Sequence, residues 1–156
     1  MKAISFAAPI PTYLLTLTMD GTGMGAVSGG GSYREGDTVS LAAGPTVGSN
    51  FTGWRPTPCA ARFTMPAYNL TCTATFTLRT FTVTAIASGG GSITPSSQTV
   101  NYGATASFTV TPRNASWRIS SVTGCGGALS PSGTTYITGP ITADCTVNAT
   151  FSPVTY

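Results

Sequence analysis

Threonine alternates with apolar residues along much of this chain. Leu15 and Leu17 interleave with Thr16 and Thr18, and Val83 and Ala85 with Thr82 and Thr84. Val39-Ser40-Leu41 and Ala106-Ser107-Phe108-Thr109-Val110 keep the same period of two. Leu70, Cys72, Ala74 and Phe76 put four apolar side chains on one face of a strand, and Cys145, Val147, Ala149 and Phe151 do so again. The opposite faces carry Thr, Asn and Asp. This is the pattern of strands with one face on a core and one in water. Clusters of Gly, Pro, Ser and Asn break the strands at short intervals. Helical periodicity is missing, apart from room for one helical turn near Ala60-Ala61-Arg62. The pattern predicts an all-β protein.

The pattern also runs twice. Tyr13-Leu14-Leu15-Thr16-Leu17-Thr18 aligns with Phe81-Thr82-Val83-Thr84-Ala85-Ile86, and Tyr33-Arg34-Glu35-Gly36 with Val100-Asn101-Tyr102-Gly103. Leu41 to Pro45 aligns with Phe108 to Pro112, and Phe51-Thr52-Gly53-Trp54 with Ile119-Ser120-Ser121-Val122. Thr73-Ala74-Thr75-Phe76 and Asn148-Ala149-Thr150-Phe151 close the halves. The tracts Gly29-Gly30-Gly31-Ser32 and Gly89-Gly90-Gly91-Ser92 correspond only loosely in register, and read as turns or bulges needing positive φ. Between Thr73 and Asn148 the offset reaches 75 residues, so the second copy carries a longer loop before its last strand. The expected organisation is an extended N-terminal arm over 1–12, repeat 1 over 13–79 and repeat 2 over 80–156. Each repeat is small for an independent core, so something besides burial should pin it.

The cysteines supply that something. Cys59 follows the Trp54 strand and Cys72 lies in the last strand of repeat 1; Cys125 and Cys145 hold the matching places in repeat 2. The last-strand cysteine shifts by two positions between copies, which keeps its side chain on the same face. The spacing predicts bridges Cys59–Cys72 and Cys125–Cys145, each limiting the unfolded chain by roughly 3 kcal/mol. The alternative is four buried free thiols. Bridges would place the mature protein in an oxidising compartment.

Composition narrows the chemistry. Charged residues make up 7% of the chain, and 29 threonines and 16 serines replace them as the polar surface. So neutral a surface lacks the self-repulsion that keeps monomers apart, and points to life in a homo-oligomeric or larger assembly. The net charge of +3 comes from scattered arginines, without the basic run of a nucleic-acid groove. Apolar stretches fall short of the ~18 residues of a membrane helix, so membrane insertion is not expected. Met1 to Ile10 carries one lysine and a short apolar run that Pro9 and Pro11 break. It is too short for an export signal and is expected to stay in the mature protein.

Histidine is missing, and Glu35 and Asp37 flank Gly36 as a turn would have them. General acid–base catalysis has no visible apparatus, and a serine or cysteine nucleophile no activating base. The glycine tracts lack the lysine of a phosphate loop, and neither CxxC pairs nor histidines offer a zinc site. No catalytic residue, metal or cofactor is expected. Trp54, Trp117, Tyr33, Tyr68 and Tyr102 could form an aromatic platform for a glycan. Trp54 sits at a repeated apolar position and is assigned to the core. Trp117, beside Arg118 and without a repeat counterpart, is the stronger candidate for a surface contact with a partner.

The first half resembles the divergent internalin-type B-repeats of bacterial surface proteins. The residues that carry this are Tyr13 to Thr18, Gly29 to Leu41, Phe51-Thr52-Gly53-Trp54, Phe63-Thr64-Met65-Pro66 and Leu70 to Phe76. The second half resembles the same type through Tyr102-Gly103-Ala104, Val122-Thr123-Gly124-Cys125 and the Cys145 strand. The resemblance implies small β-sandwich or β-grasp-like modules, used as spacers and binders on outer surfaces, with no catalytic residues to carry over.

Two roles follow. One is a bacteriophage virion component, a capsid decoration or fibre protein on the virion surface. Its arm would dock on a capsid or fibre protein, or on copies of itself. Extended, 1–12 reaches about 40 Å. Ile4, Phe6 and Ile10 would anchor it, adding as a strand to a partner's sheet edge, unless the arm folds back on its own repeat. The other is a bacterial cell-surface adhesin-type module that binds a glycan or a host protein.

Overall fold

The computed structural model describes residues 8–155. Every regular element among them is a β-strand, and the chain divides between Thr77 and Leu78, at the last residue of the eighth strand, into two compact units.

In unit 1 the strands are β1 (Thr12–Asp20), β2 (Gly25–Ser28), β3 (Gly31–Arg34), β4 (Thr38–Ser40), β5 (Ala42–Pro45), β6 (Ser49–Arg55), β7 (Arg62–Thr64) and β8 (Leu70–Leu78). One sheet has the order β3-β1-β8-β6. Its centre pairs the first and last strands in parallel, with Leu15 opposite Leu70 and Leu17 opposite Cys72. Two short antiparallel ladders, β2–β5 and β4–β7, form the second layer. Leu41 lies between β4 and β5 and donates its N–H to the Ala61 carbonyl at 2.8 Å, so one run of chain passes from β7 to β2. Between the layers, Leu15, Leu70 and Cys72 meet Val39, Leu41, Phe63 and Met65.

Unit 2 repeats this with β9 (Thr80–Ala87), β10 (Gly91–Thr94), β11 (Ser97–Asn101), β12 (Ser107–Pro112), β13 (Trp117–Thr123), β14 (Ala128–Leu129), β15 (Thr135–Ile137) and β16 (Cys145–Pro153). Its first sheet is β11-β9-β16-β13, again with a parallel central pair. Its second sheet is β10-β12-β15-β14. Here β12 stays continuous where β4 and β5 are broken. The core joins Val83, Val147 and Phe151 to Ile93, Phe108, Val110 and Tyr136. Both units are therefore small two-layered β-sandwiches whose central strands alternate buried and outward residues, as the period of two requires.

The duplication extends to single hydrogen bonds. Gly36 N–H donates to the Met65 carbonyl at 2.9 Å, and Gly103 N–H to the Ile141 carbonyl at 2.7 Å. Ahead of each last strand a side chain clamps the first strand: Asn69 Oδ1 accepts from Leu14 N–H at 2.8 Å, and Asp144 Oδ1 from Thr82 N–H at 2.7 Å. Both acceptors fill the same geometric role with different chemistry.

Two expectations need correction. Ala60 and Ala61 form no helical turn; they bend into β7, because the Ala61 carbonyl is used by Leu41. The two glycine tracts are not equivalents. Thr46 N–H bonds the Met24 carbonyl and Arg113 N–H the Gly90 carbonyl, so Gly89 to Gly91 stands where Gly23 to Gly25 stands. The Gly29 to Gly31 tract instead links β2 to β3, a place that Pro95 and Ser96 fill in unit 2. Positive φ does occur in both tracts, at Gly29, Gly31 and Gly90.

Candidate functional site

The cysteines build the most chemically distinct feature of each unit. Cys59 and Cys72 are joined, with Cα atoms 5.6 Å apart, and Cys125 and Cys145 likewise at 5.8 Å. In each case a residue beyond the sheet-edge strand is tied to the central last strand. The first bridge lies inside the core, Cys59 being 7% exposed and Cys72 fully buried. Cys125 and Cys145 are only partly buried and pack on the margin of the unit 2 core. All four sulfurs are thereby paired.

Three of the four acidic residues are also occupied structurally. Asp20 pairs with Arg55 and accepts from Thr75 Oγ1 at 2.7 Å. Asp37 Oδ2 accepts from Arg34 N–H at 2.8 Å and closes the turn around Gly36. Asp144 holds Thr82, as above. Glu35 stands exposed on the Gly36 turn. Among the described residues, no group of three or more His, Cys, Asp and Glu converges as a metal site would need.

The aromatic candidates separate. Trp54 packs on the unit 1 core with its ring 5.7 Å from Phe51. Tyr33 packs on the same core and donates its hydroxyl to the Gly29 carbonyl at 2.5 Å. Tyr102 lies 6.4 Å from Phe81, whose ring carries the Arg79 guanidinium at 5.2 Å. Tyr68 is exposed. Trp117 is half-buried against the unit 2 core, its ring directly over Gly90. Arg118 points the other way along β13, exposed, with Nε 3.2 Å from Ser152 Oγ. Hence the adjacent pair is split between two faces, and the aromatic residues of a unit do not gather into one exposed platform. Of the proposed arm anchors, Ile10 is 60% exposed; Ile4 and Phe6 lie outside the described residues.

Hydroxyl groups dominate the outer face of each central sheet. Thr18 and Thr73 share a hydrogen bond at 2.7 Å across the parallel pair, and Ser121 and Thr150 share another at 2.7 Å. The alternation of threonine announces this face. The exposed methionines Met19 and Met24 were not singled out in the sequence, since unit 2 carries no methionine at the matching places. They line a hollow of about 170 Å³ at one end of unit 1, against Phe76.

Such an arrangement defines a class, a tandem β-sandwich repeat protein with each repeat cross-linked internally. Residues 15–80 and 81–155 each match the divergent InlB B-repeat domain, and the chain belongs to that family. It is a surface-repeat type of structural and interaction module. Among solved structures it is similar to Streptococcal High Identity Repeats in Tandem (SHIRT) domains 3-4 from a cell surface protein. That likeness has 13% identity and a TM-score of 0.37, covering 92% of this chain and 100% of the other. No curated protein matches the chain.

Proposed function

We propose that this chain is a non-catalytic structural and interaction module that works on an outer surface, outside the reducing cytoplasm. The observation behind this reading is the pair of internal disulfides, one per repeat. Such bonds persist in oxidising surroundings and are rare in the cytosol. They let units of this size hold a rigid shape while presenting a hydroxyl-rich, charge-poor exterior. The first reading of that surface is a bacteriophage particle, with the chain as a capsid decoration or fibre component docked through residues 1–12. The second is a bacterial cell surface, where the chain is a spacer or adhesin module for a glycan or host protein. Membership of the B-repeat family fits this second reading as well.

Immunogold labelling with an antibody to the folded chain separates the readings. Labelled particles support the virion role, and labelled intact cells support the cell-surface role. A chain found only in the cytosol with reduced cysteines refutes both. On particles, deletion of residues 1–12 should abolish attachment while both repeats stay folded; attachment that survives the deletion removes the arm from the account.

A further inference from the structure

The two disulfides sit in opposite environments. Cys59 and Cys72 belong to the buried core of unit 1. Cys125 and Cys145 instead form part of the wall of an open groove of about 350 Å³, beside Gly126, Gly139 and Pro140. Disulfide exchange requires a thiolate to approach a sulfur along the S–S axis, so access decides which bridge reacts. Only the second bridge offers that access.

Its two ends also differ. Cys145 opens β16, with its Cα in register with Val83 of β9. Cys125 lies in a turn, flanked by Gly124 (φ 115°) and Gly126 (φ 67°), and itself holds φ 55°. That left-handed conformation is disfavoured for a residue with a Cβ, and here it belongs to the turn between Gly124 and Gly126. The turn has other ties. Tyr136 OH donates to the Gly124 carbonyl at 2.7 Å, and Gly139 N–H to the Cys125 carbonyl at 3.0 Å. Tyr136, 1% exposed, is part of the unit 2 core. The backbone around Cys125 is therefore held by bonds that do not need the sulfur.

We propose that Cys125–Cys145 is a thiol-exchange site for low-molecular-weight monothiols, and that Cys59–Cys72 is not. The incoming thiolate forms a new S–S bond with Cys125 Sγ. The Cys125–Cys145 bond breaks, and Cys145 Sγ leaves with the electron pair and takes a proton from water. No other oxidant or reductant enters. The product carries the monothiol on the turn, projecting into the groove, with β16 undisturbed and unit 2 folded.

The test uses the full chain and reduced glutathione without denaturant, quenched with N-ethylmaleimide and mapped by peptide mass. The expected product has glutathione on Cys125 and N-ethylmaleimide on Cys145, with Cys59–Cys72 opening at least about tenfold more slowly. A second measurement repeats the kinetics from zero to about 1 M urea. Exchange on the native protein gives a rate that does not rise, whereas exchange through unfolding rises with the steep slope of global exposure. Equal rates for the two bridges, glutathione found on Cys145 alone, or a steep urea dependence would each overturn the proposal.

Discussion

Gly91 lies directly against the ring of Phe151. A Cβ placed on it would sit 2.3 Å from Phe151 Cε1, and one placed on Gly25 would sit 2.3 Å from Phe76 Cε1. The same contact is thus built twice, between the first residue of the second strand and the aromatic residue of the last. It lets the second layer close over the central sheet at a distance that no side chain would permit.

Gly91→Ala and Gly25→Ala should therefore overpack their units, at a cost of about 2 kcal/mol each. Gly89→Ala is the control, since open space surrounds its Cβ position; it should leave stability unchanged or raise it by about 0.5 kcal/mol. Chemical denaturation followed by circular dichroism reads all three. Equal effects at Gly89 and Gly91 would remove the close approach as the reason for the glycine.

The clamp ahead of each last strand gives a second prediction. Asn69→Ala frees Leu14 N–H and Asp144→Ala frees Thr82 N–H. Both amides are near solvent, so each change should cost only about 1 kcal/mol. Asp144→Asn should retain most of the stability, because an amide oxygen already does this work in unit 1. Thermal melts of the three variants decide it, and an Asp144→Asn variant no better than Asp144→Ala would assign the effect to charge instead.

Removing either bridge should be costly. Paired alanine substitutions of Cys59 and Cys72, or of Cys125 and Cys145, enlarge the unfolded ensemble over separations of 13 and 20 residues. The chain-entropy model assigns roughly 3 kcal/mol to each. The first pair should lose more than this, since its sulfurs also fill the unit 1 core. Urea titration of the two double variants compares them, and a smaller loss for the buried pair would contradict the packing argument.

Trp117 separates a packing role from a contact role. Its ring covers Gly90 and the margin of the unit 2 core. Trp117→Ala should cost about 2 kcal/mol, less than a fully buried tryptophan, whereas Arg118→Ala should leave stability nearly unchanged. Binding assays on a glycan array give the complementary reading: glycan binding lost in Arg118→Ala with an intact fold would place a contact on that face.

The strands, their buried faces and the duplication were legible because a two-residue period leaves a direct mark on sequence. Leu70, Cys72, Ala74 and Phe76 could hardly be read otherwise. The parallel pairing of β1 with β8 left no such mark, since alternation is the same whichever way a neighbour runs. The glycine tracts misled in register because two different needs select glycine. Gly25 and Gly91 answer to a ring pressed on the backbone, whereas Gly29 and Gly31 hold positive φ at the entry to β3, Gly29 also lying close to the Ser40 carbonyl. Only the contacts of distant Phe76 and Phe151 tell the two apart. Trp117 stood out in sequence for want of a counterpart, and its packing on Gly90 follows from unit 2 having glycine where unit 1 has Met24.

The most direct test is non-reducing peptide mapping of the chain recovered from the particle or cell surface that bears it. The account predicts one cross-linked peptide pair joining Cys59 to Cys72 and another joining Cys125 to Cys145. Free thiols in that material, or a link between the two repeats, would contradict it.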